Sequence, residues 1–231
     1  MPPELNAAMA AFSVWAIPVL IAVTFHEAAH GIVASRLGDD TARILGRVSL
    51  NPFRHIDPFG TVLMPALLLL LSGGRVMFGY AKPVPVNFGR LRRPRRDMVL
   101  VAAAGPATNL LLAVVSALAI HTLGLFPGDF QQWLGLNLVN SMWINVLLCV
   151  FNMLPLPPLD GGRVAVGLLP LPLAMRLARL ERAGMVIILT AIFLLPWLGS
   201  QLGLDLNVFW WLVGRPAEAL NNGIGRLIGI L

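Results

Sequence analysis

Residues Ala11 to His30 read AFSVWAIPVLIAVTFHEAAH, an uncharged apolar run that leads straight into His26-Glu27-Ala28-Ala29-His30. On a helix, two histidines at i and i+4 lie on one face, one turn apart. Imidazoles at that spacing can hold one zinc ion, and a glutamate between them can serve as general base toward a water. The run before the motif is long enough and apolar enough for a membrane helix. Ionisable groups inside such a helix are costly and mark function. The stretch therefore points to a helical membrane protein with a zinc hydrolase site inside the bilayer.

Composition agrees. The chain has 231 residues, 57% hydrophobic and 12% charged, and its mean hydropathy is +0.78. Soluble domains carry about 25% charged residues, so the balance is that of a polytopic membrane protein. The single cysteine, Cys149, excludes an internal disulfide framework and a cysteine-rich zinc knuckle, and its apolar surroundings read as inert packing. The first residues, MPPELNAAMA, lack the basic stretch of a secretory signal, so the first apolar segment is expected to stay as a membrane helix. The net charge of +6 is placed as membrane topology would place it and implies no nucleic-acid partner.

Apolar segments run from about Ala10 to Leu37, Gly60 to Leu71, Asp97 to Leu125, Trp133 to Leu154, Arg182 to Leu198 and Val208 to Leu231. A span needs about 20 residues. The first, third and fourth exceed that and the fifth is near the lower limit, whereas Gly60 to Leu71 is too short. The last carries Arg215, Glu218 and Arg226 and is either a sixth span or, as the charges favour, a partly interfacial element with Trp210 and Trp211 as anchors. The fold expected is all-α and polytopic, with about five to six transmembrane helices. It forms one peptidase-sized domain over residues 1–231, with a core at 10–165 and C-terminal helices at 172–231.

Arginine and lysine crowd between the first and third segments, from Arg43 to Arg96, and again at Arg163, Arg176 and Arg179. The loop HTLGLFPGDFQQ has none. The N-terminus and this loop are thus expected outside and both basic loops inside. The region between segments one and three then enters and leaves on one side. A re-entrant element at Gly60 to Leu71 satisfies that, followed by an extended stretch from Val76 to Val86 near the site, because Pro83 and Pro85 favour extended backbone. The plainer alternative is a helical hairpin and a loop. The Arg90 to Arg96 cluster reads as a topology and headgroup anchor.

A catalytic zinc usually has three protein ligands and an open position. Among the acidic residues, Asp57 and Asp160 remain once those in loops, outer ends or helix starts are set aside. Asp160 lies in NMLPLPPLDGGR, Asn152 to Arg163, where prolines prevent a regular helix and Gly161 and Gly162 permit close backbone approach. His26 is about 16 Å along a helix from Leu37, nearer the basic side, and Asp160 falls near the same side. Blander readings exist: packed core histidines at 26 and 30, a Gly-Gly turn capped by Asp160, and an Asn152 amide that serves freed carbonyls. His55 and Asp57 read as loop caps ahead of Pro58.

HEAAH on the first helix, AGPATN at Ala104 to Asn109 and NMLPLPPLDGGR together resemble the site-2 protease family of intramembrane zinc metalloproteases. NPFRHIDPFGTVLMP and FGYAKPVPVN resemble its short branch without a PDZ domain. The resemblance covers about Thr24 to Arg163. It implies one Zn2+ per chain on His26, His30 and Asp160, with Glu27 as general base and Asn152 holding the substrate or stabilising the oxyanion. Asn109 would be structural or substrate-aligning. The implied substrate is a transmembrane protein cut near its cytoplasmic end, and the implied location is a prokaryotic inner membrane, multi-pass. Self-association stays open. The rival class is a non-catalytic zinc-binding membrane protein or metal transporter, which would place polar residues along a path through several spans.

Overall fold

The computed structural model describes residues 3–64, 67, 70, 79 and 81–230, and every regular element among them is helical. Helix α1 is Pro3–Arg36, α2 is the short Thr41–Ile44, α3 is Pro94–Ile120 and α4 is Gly128–Asn152. Then come α5, Asp160–Leu168, and α6, Leu171–Arg179. Helix α7 runs over Glu181–Leu202, and α8 is Arg215–Ile228, entered through a wide turn at Trp210–Gly214. Four helices are long and apolar enough to cross a membrane: Met9–Arg36, Pro94–Ile120, Gly128–Asn152 and Glu181–Leu202.

The starts of these helices follow from local chemistry. Pro94 occupies the first turn of α3, where its missing N–H costs nothing, and Asp97 reaches back to accept the Arg93 N–H at 2.8 Å. Asp57 caps the wide turn Pro58–Leu63 by accepting from the N–H groups of Phe59 and Gly60. This is the loop-capping role expected of it. His55 is likewise tied into the loop, with Nε2 donating to Ser49 O at 2.8 Å.

Helices α1, α3 and α4 pack against one another, and α5 docks on α3. Their basic ends are laced together: Arg92 N donates to Leu37 O, Arg95 donates to the carbonyls of Gly167 and Leu169, and the Arg163 guanidinium sits 5.3 Å above the Phe88 ring. Asp39, fully buried, joins the two crossings of this region by accepting from the Thr41 hydroxyl, the Thr41 N–H and the Asn87 N–H. Burial alone pushes its carboxyl up. The hydrogen bonds from Thr41 and Asn87, with Arg90 nearby, outweigh burial and hold it below the ordinary carboxylate range.

The final stretch, expected to be a sixth span or a partly interfacial helix, packs against the bundle. It begins beside the end of α4, with Phe209 and Phe151 ring centroids 6.0 Å apart, and ends beside α3, where His121 Nε2 donates to Ile228 O at 2.9 Å. Ala217 and Ile224 join Ala113, Ala117, Met142 and Val146 in one core cluster. Its charges stay off that seam, and Arg215 is stacked over the Trp211 ring at 3.7 Å. Conversely, the apolar α7 leaves from beside Arg163, 3.8 Å from Glu181, and the chain is back beside Phe151 by Phe209. Met185, Val186, Trp197 and Leu202 on α7 are exposed.

The expected re-entrant and extended element falls largely outside the described residues. Residues 58–64 turn helically, and 81–87 have no regular structure. Most of 65–80 lies outside the described residues, and no strand occurs among those that are described.

Candidate metal centre

His26 and His30 project from one face of α1, their ring centroids 4.7 Å apart and nearly perpendicular at 85°. Asp160 is the first residue of α5. The proline-rich turn before it folds so tightly that a methyl on Gly161 would stand 2.2 Å from Met153 O. Only glycine permits that fold-back, which carries the Asp160 carboxylate to the two rings. His26 Nε2 lies 3.2 Å and His30 Nε2 3.4 Å from Asp160 Oδ2, and the two Nε2 atoms are 3.1 Å apart. All three residues are buried.

The proton placement in this trio is fixed from behind. His26 Nδ1 is 2.6 Å from Asn109 Oδ1, and His30 Nδ1 is 2.7 Å from Val101 O. Both partners are oxygens that only accept, so each Nδ1 carries the hydrogen. In the neutral rings both Nε2 atoms are therefore bare. Two lone pairs and a carboxylate oxygen facing one another at these distances repel unless a cation lies among them. Tetrahedral zinc with bonds of about 2.0–2.1 Å sets its ligand atoms about 3.3–3.4 Å apart, close to the spacing seen. Hydrogen-bonded Nδ1 atoms behind bare Nε2 atoms are the usual support for histidines that ligate a metal.

Helix α3 supplies the floor. A methyl on Gly105 would stand 2.5 Å from His30 Nε2 and 2.6 Å from His26 Cε1. Gly105 thus leaves open the space in front of the two nitrogens, and His26, His30 and Asp160 are positioned to bind a metal ion there. Glu27 sits beside His26 on α1, where its Oε2 accepts the Val84 N–H at 2.7 Å. Val84 is itself buried, so the irregular 81–87 segment runs alongside the site.

Among the expected site residues, the structure brings His26, His30 and Asp160 together and sets Asn109 behind His26. The Asn152 amide turns back along its own helix and donates to Leu148 O at 3.0 Å. Sequence reasoning missed Gly105 and the buried Asn145, whose Oδ1 accepts from Asn109 Nδ2 at 2.8 Å. An uncharged amide in the middle of an apolar helix was the available signal for Asn145. Gly105 stood inside AGPATN, but its role depends on which helix crosses it.

Two bare imidazole nitrogens and a carboxylate oxygen converging in a bundle of apolar helices are what a membrane-embedded metal enzyme requires. A model described as Peptidase family M50 matches residues 14–139, more than half of the chain, and the chain belongs to that family, the site-2 proteases. It is 40% identical over 190 residues to a Bacillus subtilis (strain 168) protein named "Putative zinc metalloprotease YwhC", covering 80% of this chain and 81% of that one. It is also 32% identical over 193 residues to a Mycobacterium tuberculosis (strain H37Rv) protein named in the same way as Rip2, covering 84% and 70%. No solved structure matches.

Proposed function

We propose that the protein is a zinc endopeptidase that hydrolyses a peptide bond within or near a transmembrane segment of another membrane protein. The observation that carries this is the meeting of two bare imidazole nitrogens and a carboxylate oxygen at 3.1–3.4 Å, with Glu27 next in sequence. Zinc, when bound, supplies Lewis acidity, which polarises a peptide carbonyl and makes a water nucleophilic near neutral pH. His26, His30 and Asp160 hold the ion. Glu27 takes the proton of the attacking water and returns it to the departing amine. Asn152, whose Nδ2 keeps a second hydrogen beyond its bond to Leu148 O, steadies the substrate carbonyl. The apolar walls of α1, α3 and α4 keep bulk water from the site.

The rival transporter reading lacks support beyond the site. The core cluster on the far side is the apolar set Ala113, Ala117, Met142, Val146, Ala217 and Ile224, with no titratable side chain in it.

The substrate helix must unwind to be cut. We assign the 81–87 segment the role of pairing with the unwound strand, because the Val84 N–H already points at the catalytic carboxylate. The basic end of the bundle is assigned to the cytoplasm of a prokaryotic inner membrane. In this arrangement α1, α3, α4 and α8 cross the bilayer. Helix α7 is assigned a path along the basic end, because it leaves beside Arg163 and the chain is back beside Phe151 by Phe209. Cysteine placed at position 128 should be labelled from outside and at position 205 should not; labelling of 205 from outside would make α7 a crossing helix.

The test of the function is Glu27→Gln, assayed on a model transmembrane substrate in proteoliposomes. The variant should keep its zinc and lose at least about a hundredfold in cleavage rate, the usual contribution of a general base. Cleavage at the wild-type rate contradicts the assignment. In the same assay Val84→Pro should slow cleavage with zinc retained, and an unaltered rate would refute strand pairing at this segment.

A further inference from the structure

The support behind His26 does not end at Asn109. The Asn109 Nδ2 group donates to Asn145 Oδ1 at 2.8 Å and to Ala22 O at 3.3 Å. Asn145 Nδ2 in turn donates to Ser141 O at 2.9 Å and to Ser141 Oγ at 3.3 Å, and Ser141 Oγ pairs with Ser116 Oγ at 2.8 Å. Asn109 and Asn145 are fully buried and Ser116 nearly so. A row of buried polar groups through an apolar bundle persists only when every member is paired.

The direction of this row can be read without ambiguity, because it is anchored at two backbone carbonyls that cannot donate. Ser141 O requires the Asn145 amide nitrogen, so Asn145 must offer its oxygen to Asn109. Ala22 O and Asn145 Oδ1 then take both hydrogens of the Asn109 amide, which leaves Asn109 Oδ1 for His26. An acceptor at that place puts the hydrogen on His26 Nδ1 and leaves Nε2 bare. With the Asn109 amide turned over, Nδ2 would face His26 Nδ1 and favour the ring form that carries its hydrogen on Nε2. That form has no lone pair for a metal.

We infer that Asn145, which touches neither the metal nor any of its ligands, is a positioning residue for His26. It locks the Asn109 amide in the one orientation that makes His26 a ligand. The inference rests on the metal-binding reading above and deepens it: the competence of a ligand on α1 is set from α4, through a side chain on α3. The row also explains why polar residues lie where an apolar core would pack as well. They set an orientation, and apolar residues cannot.

Four variants in detergent test this: Asn145→Leu, Asn145→Asp, Asn109→Ala and His26→Ala. Zinc affinity is read by chelator competition, and Co2+ loaded in place of zinc reports ligand geometry through its visible absorption. Circular dichroism and the melting temperature of the metal-free protein monitor folding. Asn145→Leu removes the shorter of the two bonds that orient the Asn109 amide, leaving only Ala22 O at 3.3 Å, and should weaken zinc binding about 10–100-fold, the range for lost outer support of a ligand, with a changed Co2+ spectrum. Asn145→Asp keeps an oxygen toward Asn109 and should stay within about threefold of wild type. A loss confined to melting temperature, with wild-type zinc affinity and Co2+ spectrum in folded Asn145→Leu, overturns the inference. So does equal weakening in Asn145→Leu and Asn145→Asp. If wild type itself binds no zinc, or His26→Ala binds it unchanged, the metal-binding reading has failed first, and this role fails with it.

Discussion

The two halves of the bundle use the same helices to opposite ends. Toward the basic end, α1, α3 and α4 meet through His26, His30, Gly105, Asn109 and Asn145, with Asp160 arriving from α5. Toward the other end, α3 and α4 meet α8 through Ala113, Ala117, Met142, Val146, Ala217 and Ile224. In the first half the buried side chains around the site are joined by directional hydrogen bonds. In the second, apart from the Ser116–Ser141 hydroxyl pair, the fit is mainly one of volume. Membrane helices gain little from hydrophobic burial against lipid, so close packing of small residues has to hold them together. The comparison teaches that the same bundle can tolerate change in one half and not in the other, and that the site owes its rigidity to the intolerant half.

The largest effect should come from Gly105→Ala. One methyl placed 2.5 Å from His30 Nε2 fills the space before the ligands. Zinc affinity should fall by at least about tenfold, as expected when ligand geometry is disturbed, while the helix itself accepts alanine. Chelator competition on the folded variant measures this, and unchanged affinity would mean that the two halves do not differ as described. A smaller effect, of the other kind, is expected from Ala217→Leu. Overpacking the apolar seam should cost about 1–3 kcal/mol of stability and leave zinc affinity unaltered. Loss of zinc without loss of stability in that variant would erase the distinction between the halves.

Much of the site was legible because its parts are local. The i, i+4 histidines, the glutamate between them and the glycines after Asp160 each advertise their geometry within a few residues, and the caps at Asp57 and Asp97 do the same. What was not legible depends on which surfaces cross. Gly105 matters because α3 passes in front of two histidines on α1, and no local pattern states that. Asn145 was one of several polar residues in its helix, with Asn137, Asn140, Ser141 and Asn152, and only the neighbouring Asn109 gives it meaning. The last two helices show the limit of hydropathy. Helix α7 is the more apolar, yet Met185, Val186, Trp197 and Leu202 on it stay exposed rather than joining the core. The stretch with Arg215, Glu218 and Arg226 packs inside, because Ala217 and Ile224 share one face and its charges share another. Hydropathy measures compatibility with lipid, whereas bundle membership is decided by the shape of one face.

The central claim is that one metal ion is held by two histidines of α1 and the aspartate that opens α5. Its most direct test is the metal content of the purified protein, wild type beside Asp160→Ala, with zinc affinity taken on both. The account predicts about one zinc per wild-type chain, as for a mononuclear site with three protein ligands, and a variant that folds but no longer retains it. An Asp160→Ala protein that keeps the wild-type stoichiometry and affinity would contradict the account, and Asp57 would then be the next carboxylate to examine.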